Sequence, residues 1–319
     1  MASGHAEVSA ERATVDRVSW QSRLVNLWLR CWLRRRMAGQ SLVRAAAILQ
    51  GNLERAAKMA QLLGTAHHWP ESLAGVSCEW VAADNARDAP TIVMYLHGGA
   101  FACGSARTHL DLASRLSAAS GAKVLLVDYR LTPQYVFPAA LEDVVGVYRA
   151  LLAHGTSHGN IALAGESAGA NLALAAIVML QDFGVPLPAA CVCISPWLDL
   201  THSARSICEN TRTEKILPTD MLLNAARVYA AGAELDNPRI SPLFADLAGC
   251  PPLLVVAGSD ELLVDDARRL AEQARAAGVM VRYREWTGQP HAFPALGAFL
   301  PEARAAILHV AEFLGGQWN

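Results

Sequence analysis

No stretch of this 319-residue chain approaches the roughly 20 consecutive apolar residues that a membrane-crossing helix needs. Neither sign of charge is in surplus: 27 Lys and Arg stand against 29 Asp and Glu, a formal net charge of −2. Phosphate binding calls for a concentrated basic surface, so nucleic acid is not an expected partner. Cys-x-x-Cys pairs are missing, and the seven cysteines, spread from Cys31 to Cys250, outline no disulfide framework. They read as reduced interior residues, with Cys191 and Cys193 on one face of a strand-like run. The first nineteen residues hold no apolar core followed by a small-residue cleavage site, so no secretory signal is expected and the cytoplasm is the expected compartment. Internal repeats and low-complexity linkers are also lacking.

What the chain does have is apolar material, 53% of its residues against 18% charged, enough for a sheet covered on both faces. Its most informative segment is Gly165-Glu166-Ser167-Ala168-Gly169, which follows the strand-like run Asn160 to Ala164 and precedes an Ala- and Leu-rich helical stretch. A serine between two glycines at a strand-to-helix turn is held in a strained backbone that lifts its hydroxyl outward. A second segment, His97-Gly98-Gly99-Ala100-Phe101, closes the apolar strand Thr91 to Leu96. Composition alone would supply the first motif about 0.1 times and His-Gly-Gly about 0.05 times, so their joint presence carries weight. Cleaving an acyl bond develops negative charge on a carbonyl oxygen, and glycine amides can approach it closely. Gly98, Gly99 and Ala168 are the expected oxyanion donors.

A serine nucleophile needs a base, and the base a carboxylate to orient it. Only His202, His291 and His309 follow Ser167. His291 is the expected base, since it lies in a loop after the strand-like Val279 to Trp286, whereas His309 sits on a helical stretch and His202 in a connection. The acid is expected beyond the strand Pro252 to Ala257, where ligand groups gather in an open parallel sheet. Asp260 is the first carboxylate there. Glu261, Asp265 and Asp266 compete with it, their alternative reading being helix N-terminal charge. Cys103, close to the oxyanion loop, is a further residue to place. No metal or organic cofactor is called for; His67-His68 lacks a third ligand at metal-site spacing.

On these motifs, and on Asp128-Tyr129-Arg130-Leu131-Thr132-Pro133, Ser195-Pro196-Trp197-Leu198-Asp199-Leu200 and Ile240-Ser241-Pro242-Leu243-Phe244, the chain resembles the hormone-sensitive-lipase-like, bacterial family IV branch of the α/β-hydrolases. The resemblance runs from about Val76 to the C-terminus, with Ala100 where a third glycine is frequent and Glu166 where an aspartate is frequent. It implies an α/β-hydrolase fold, a mostly parallel central sheet with helices on both faces and a helical cap. It also implies that Ser167, Asp260 and His291 form the triad.

Strands and helices alternate from Val76 onward, so residues 71–319 are expected to form the catalytic domain, with residues 1–70 an N-terminal cap segment and a cap insertion at about 201–232. In the N-terminal part, Trp20, Leu24, Leu27, Trp28, Cys31 and Trp32 recur at helical spacing, with Arg34-Arg35-Arg36 behind them. That amphipathic helix reads as a lid, with docking to an anionic membrane surface or an oligomer contact as alternatives. Stable membrane insertion is not expected, and a homodimer is possible in principle. The expected substrate is a small-molecule ester with a short to medium acyl group. The rivals are an amide, lactone or acetylated-metabolite hydrolase with the same triad, a membrane-associated lipase, and a non-catalytic receptor.

Overall fold

The computed structural model describes residues 18–61 and 66–318. The rest of the expected N-terminal cap segment, and most of the stretch read for a secretory signal, lie outside the described residues. Eight strands form one sheet: β1 (His67–Leu73), β2 (Val76–Ala82), β3 (Ile92–Leu96), β4 (Lys123–Val127), β5 (Ile161–Glu166), β6 (Ala190–Ile194), β7 (Leu253–Gly258) and β8 (Val281–Trp286). Their order is β1-β2-β4-β3-β5-β6-β7-β8; β1 and β2 are antiparallel to their neighbours, and all later pairings are parallel. His67 to Pro70, at the end of the expected cap segment, belong to an edge strand. Pro70 tolerates it because an edge leaves one row of backbone groups unpaired.

The central strands are apolar without alternation, as in Ile92-Val93-Met94-Tyr95-Leu96, because both faces are covered. Met94, Leu125, Leu163, Cys191, Cys193 and Val255 point into one core, against α5 (Ala139–Ala153), α6 (Ala168–Asp182), α8 (Thr219–Ala230) and α9 (Val264–Ala276). Val93, Leu126, Ala162, Val192 and Val256 point into the other, against α4 (Leu110–Ser120) and α10 (Pro301–Gly315). The period of two thus separates the two cores residue by residue.

Ahead of the sheet lie α1 (Trp20–Trp28), a π-helical turn Leu29–Arg34, the short α2 (Arg35–Met37) and α3 (Leu42–Gln61). After β6 come the short α7 (Ser206–Glu209) and then α8. The two segments meet where the Gly39 N–H donates to Asp220 Oδ2 at 2.8 Å. α1 departs from the usual amphipathic arrangement. Its Ser22 and Asn26 are buried, while Trp20, Leu24, Leu27 and Trp28 are 67%, 58%, 59% and 49% exposed. The polar side wins the interior because Asn26 Nδ2 donates to the Gly288 carbonyl at 2.9 Å and Ser22 Oγ donates to Glu302 Oε2 at 2.8 Å. Leaving each large apolar side chain in water forgoes roughly 1.5–3 kcal/mol of burial.

Candidate active site

The residues that carry the motifs all leave the sheet at the carboxyl ends of parallel strands, the edge where an open α/β sheet gathers its ligand groups. Ser167 follows β5 directly, with φ 56° and ψ −119°, a conformation that L-residues rarely adopt. The corner closes tightly enough that only glycine fits on either side. A Cβ on Gly169 would collide with the Leu96 carbonyl, and one on Gly165 would lie 2.6 Å from the Gly169 carbonyl oxygen. The Ser167 N–H donates to the Ile194 carbonyl at 2.9 Å, which fixes the corner against the end of β6.

His291 comes off β8 and returns to the same place. The next residue along, Ala292, donates its N–H to Ser195 Oγ at 2.9 Å, and Ser195 directly follows Ile194. Ser167 and His291 thus converge on one strand end, and both are buried. Ser195, itself buried with φ 44°, went unassigned in the sequence reading although it stands in one of the resembling segments.

The carboxylate beside His291 is Glu261. Its Oε2 lies 2.6 Å from His291 Nδ1, and its Oε1 accepts the Gly258 N–H at 2.9 Å. Asp260, the expected acid, turns the other way and pairs with Lys215 Nζ at 3.0 Å. The remaining competitors are also engaged: Asp265 pairs with Arg268, and Asp266 accepts the Leu198 and Asp199 amides. Burial works against the charged form of His291, but the hydrogen bond and charge of Glu261 outweigh it and hold the imidazole above its ordinary value. A carboxylate on Nδ1 keeps the proton on that nitrogen and leaves Nε2 as the acceptor of the ring. His202 instead lies with its ring centroid 5.7 Å from that of Trp197, and His309 sits on α10.

The loop expected to supply oxyanion donors shows a second difference. The Gly98 N–H is taken by Glu166 Oε1, so Gly98 is not a free donor. The amides of Gly99, Ala100 and Ala168 donate to no acceptor among the described residues. Gly99 has φ 122° and a Cβ there would strike the Cys103 carbonyl, which makes glycine obligatory. Ala100 and Phe101 follow at φ 54° and 59°, held by Thr132, whose N–H donates to the Phe101 carbonyl at 2.8 Å. Cys103 is buried and its thiol is pushed up to about 12 by burial, so it is not a standing thiolate.

Glu166 is the anchor beneath this loop. Besides Gly98, it accepts from Tyr95 OH at 2.6 Å and from His109 Nε2 at 2.8 Å, all inside the protein. His109 Nδ1 lies 2.9 Å from Thr108 Oγ1 and 3.1 Å from the Ser105 carbonyl. Burial alone would raise Glu166 and lower His109; their mutual charge reverses both, leaving Glu166 below and His109 above their usual values. Resemblance showed that Glu166 stands where aspartate is frequent, but nothing in the sequence linked it to His109, 57 residues away.

An aromatic cluster is tied to the Ser167 corner through Trp197. Trp197 donates its backbone N–H to the Ser167 carbonyl at 3.3 Å and is fully buried. Phe101 stacks on Tyr229 at 3.8 Å between centroids and lies 5.6 Å from Trp197. By contrast, the surface cavity of about 580 Å³ between α3, β2 and α4, lined by Ala60, Leu110, His68, Glu79, Arg107 and Asp128 among others, includes neither Ser167 nor His291.

Residues 93–295 match the family described as the alpha/beta hydrolase fold. The chain is similar to an acetyl-hydrolase from Streptomyces hygroscopicus, 45% identical over 238 residues that cover 75% of this chain and 79% of that protein. An esterase from Acinetobacter venetianus is 38% identical over 245 residues, covering 76% and 80%. Among solved structures, an esterase from the bacterial hormone-sensitive lipase family superposes with a TM-score of 0.86 at 37% identity, over 95% of this chain and 100% of that one. The chain belongs to the α/β-hydrolase family. Within it, it stands with the bacterial hormone-sensitive-lipase-like esterases, as an enzyme that hydrolyses carboxylic esters.

Proposed function

We propose that Ser167, His291 and Glu261 form the catalytic triad of a serine carboxylesterase acting on short to medium acyl esters. The observation that carries it is the Glu261 to His291 Nδ1 contact beside the strained Ser167 corner. His291 Nε2 takes the hydroxyl proton as Ser167 Oγ attacks the ester carbonyl. The resulting oxyanion is met by the Gly99, Ala100 and Ala168 amides. The tetrahedral species collapses, the alcohol leaves with the proton from His291, and Ser167 holds the acyl group as an ester. Water, deprotonated by the same imidazole, then releases the acid and restores the hydroxyl. Glu261 keeps the Nδ1 proton in place and balances the imidazolium.

The acyl preference rests on Trp197, Phe101 and Tyr229 filling the space beside the serine, and on α1 and the 201–232 segment acting together as a cap. The relative named as an acetyl-hydrolase supports the short end of the range and favours acetylated small molecules as a specific second reading. A rate series on p-nitrophenyl esters tests it: kcat/KM is expected to peak at short acyl chains, and a maximum at long-chain esters contradicts it.

A further inference from the structure

The outward face of α1 is a feature that ester hydrolysis leaves unused. Trp20, Leu24, Leu27 and Trp28 lie at spacings of three and four residues, so they form one continuous stripe, and all four are exposed. The helix is not loosely placed. Ser19, Ser22 and Asn26 pin its opposite face to Glu302 and to the loop that carries His291. From Arg17 to Leu53 the sequence holds seven arginines and no Asp or Glu, in a chain whose overall charge is −2. Among the described residues, Arg23, Arg30, Arg34 and Arg35 form no ion pair, and Arg36 lies over the Trp32 ring at 4.7 Å.

We propose that this face docks the enzyme on anionic phospholipid surfaces, with the Trp and Leu stripe entering the headgroup boundary and the arginines beside it meeting the lipid charge. Tryptophan suits that boundary because its ring is apolar and its N–H polar. A second copy of the chain fits the face poorly, since a symmetric contact would set arginines against arginines. No described helix is long and apolar enough to cross a membrane, so the contact is interfacial. Because Asn26 holds the Gly288 carbonyl, docking would bring the His291 loop next to the surface in which esters partition. The docking surface stands whether or not Ser167 is the nucleophile.

Co-sedimentation of the full chain with phosphatidylcholine vesicles, with and without about a third phosphatidylglycerol, tests this. Binding is expected to favour the anionic vesicles at least about tenfold and to weaken with salt. The doubly substituted Trp20→Ser/Trp28→Ser and Arg23→Gln/Arg30→Gln proteins should each lose about tenfold or more of it. All these side chains face solvent, so melting and turnover of a water-soluble ester should be unchanged, and that readout reports on fold and catalysis separately. Absent or equal binding to the two vesicle types overturns the proposal. So does binding undiminished in both variants, or a stable dimer in solution that Trp20→Ser/Trp28→Ser dissociates.

Discussion

At the corner between β5 and α6 the backbone leaves no choice of residue, whereas at the corner between β7 and α9 side chains make the choice. Gly165 and Gly169 are required because a Cβ at either would meet main-chain atoms, and Ser167 is consequently presented in a strained conformation. At the second corner two adjacent carboxylates were both available. Lys215 captures Asp260, while Glu214 accepts the Leu262 N–H at 2.9 Å and Gly258 donates to Glu261 at 2.9 Å. Steric requirements are written locally in sequence; a preference between neighbouring acids also depends on Lys215 and Glu214, more than forty residues away.

Substitutions sharpen this contrast. The largest effect belongs to the first corner: Ser167→Ala should fold normally and lose about 10⁴-fold or more in kcat on a short ester. Retention of most activity would end the assignment. At the second corner, Glu261→Gln should lower kcat by about 10³–10⁴-fold, while Asp260→Asn, which removes only a partly exposed pairing with Lys215, should change it by less than about threefold. The reverse pattern would return the role to Asp260.

The pH profile gives the same comparison a sign. The proposed base role needs neutral His291, whose value is held up by Glu261, so the wild-type rate should fall on acidification through a value above the ordinary one for histidine. Glu261→Gln removes what raises it and leaves burial, which lowers it, so the residual activity should persist to lower pH. An acidic limb at the same pH in both proteins would contradict the pairing.

A smaller effect is expected at the anchor of the oxyanion loop. Glu166→Gln keeps the shape but not the charge opposite His109, and should reduce kcat by about 10- to 100-fold with little change in KM. Glu166→Asp should recover part of that loss because the charge is restored at a shorter reach. If both variants shift only KM, Glu166 does not hold the donors in place.

The alternation of strands and helices from Val76 onward was readable because continuous apolar runs such as Leu253-Val255 admit little else in a sheet buried on both faces. Strand β1 was not, since His67, His68 and Pro70 carry no strand signal and only pairing with β2 makes them one. Ser167, Gly99 and Ala168 stand out in the sequence by their motifs, and His291 by its loop after a strand. Glu261 was visible as a competitor, but the choice between it and Asp260 depends on Lys215 and on the return of the His291 loop, neither encoded nearby. Nothing in the sequence showed that the Gly98 amide meets Glu166, because that contact exists only once β3 and β5 are neighbours. α1 shows the opposite failure. Its helical period was plain, yet the apolar side faces out, because Ser22 and Asn26 find partners on the C-terminal half of the chain.

The central claim is that Ser167 is the activated nucleophile of this site. Labelling the full chain with a fluorophosphonate and mapping the modified peptide tests it most directly. One adduct is expected, on Ser167, forming more slowly in Glu261→Gln than in the wild type. An adduct on another residue, or no adduct in an active preparation, would contradict it.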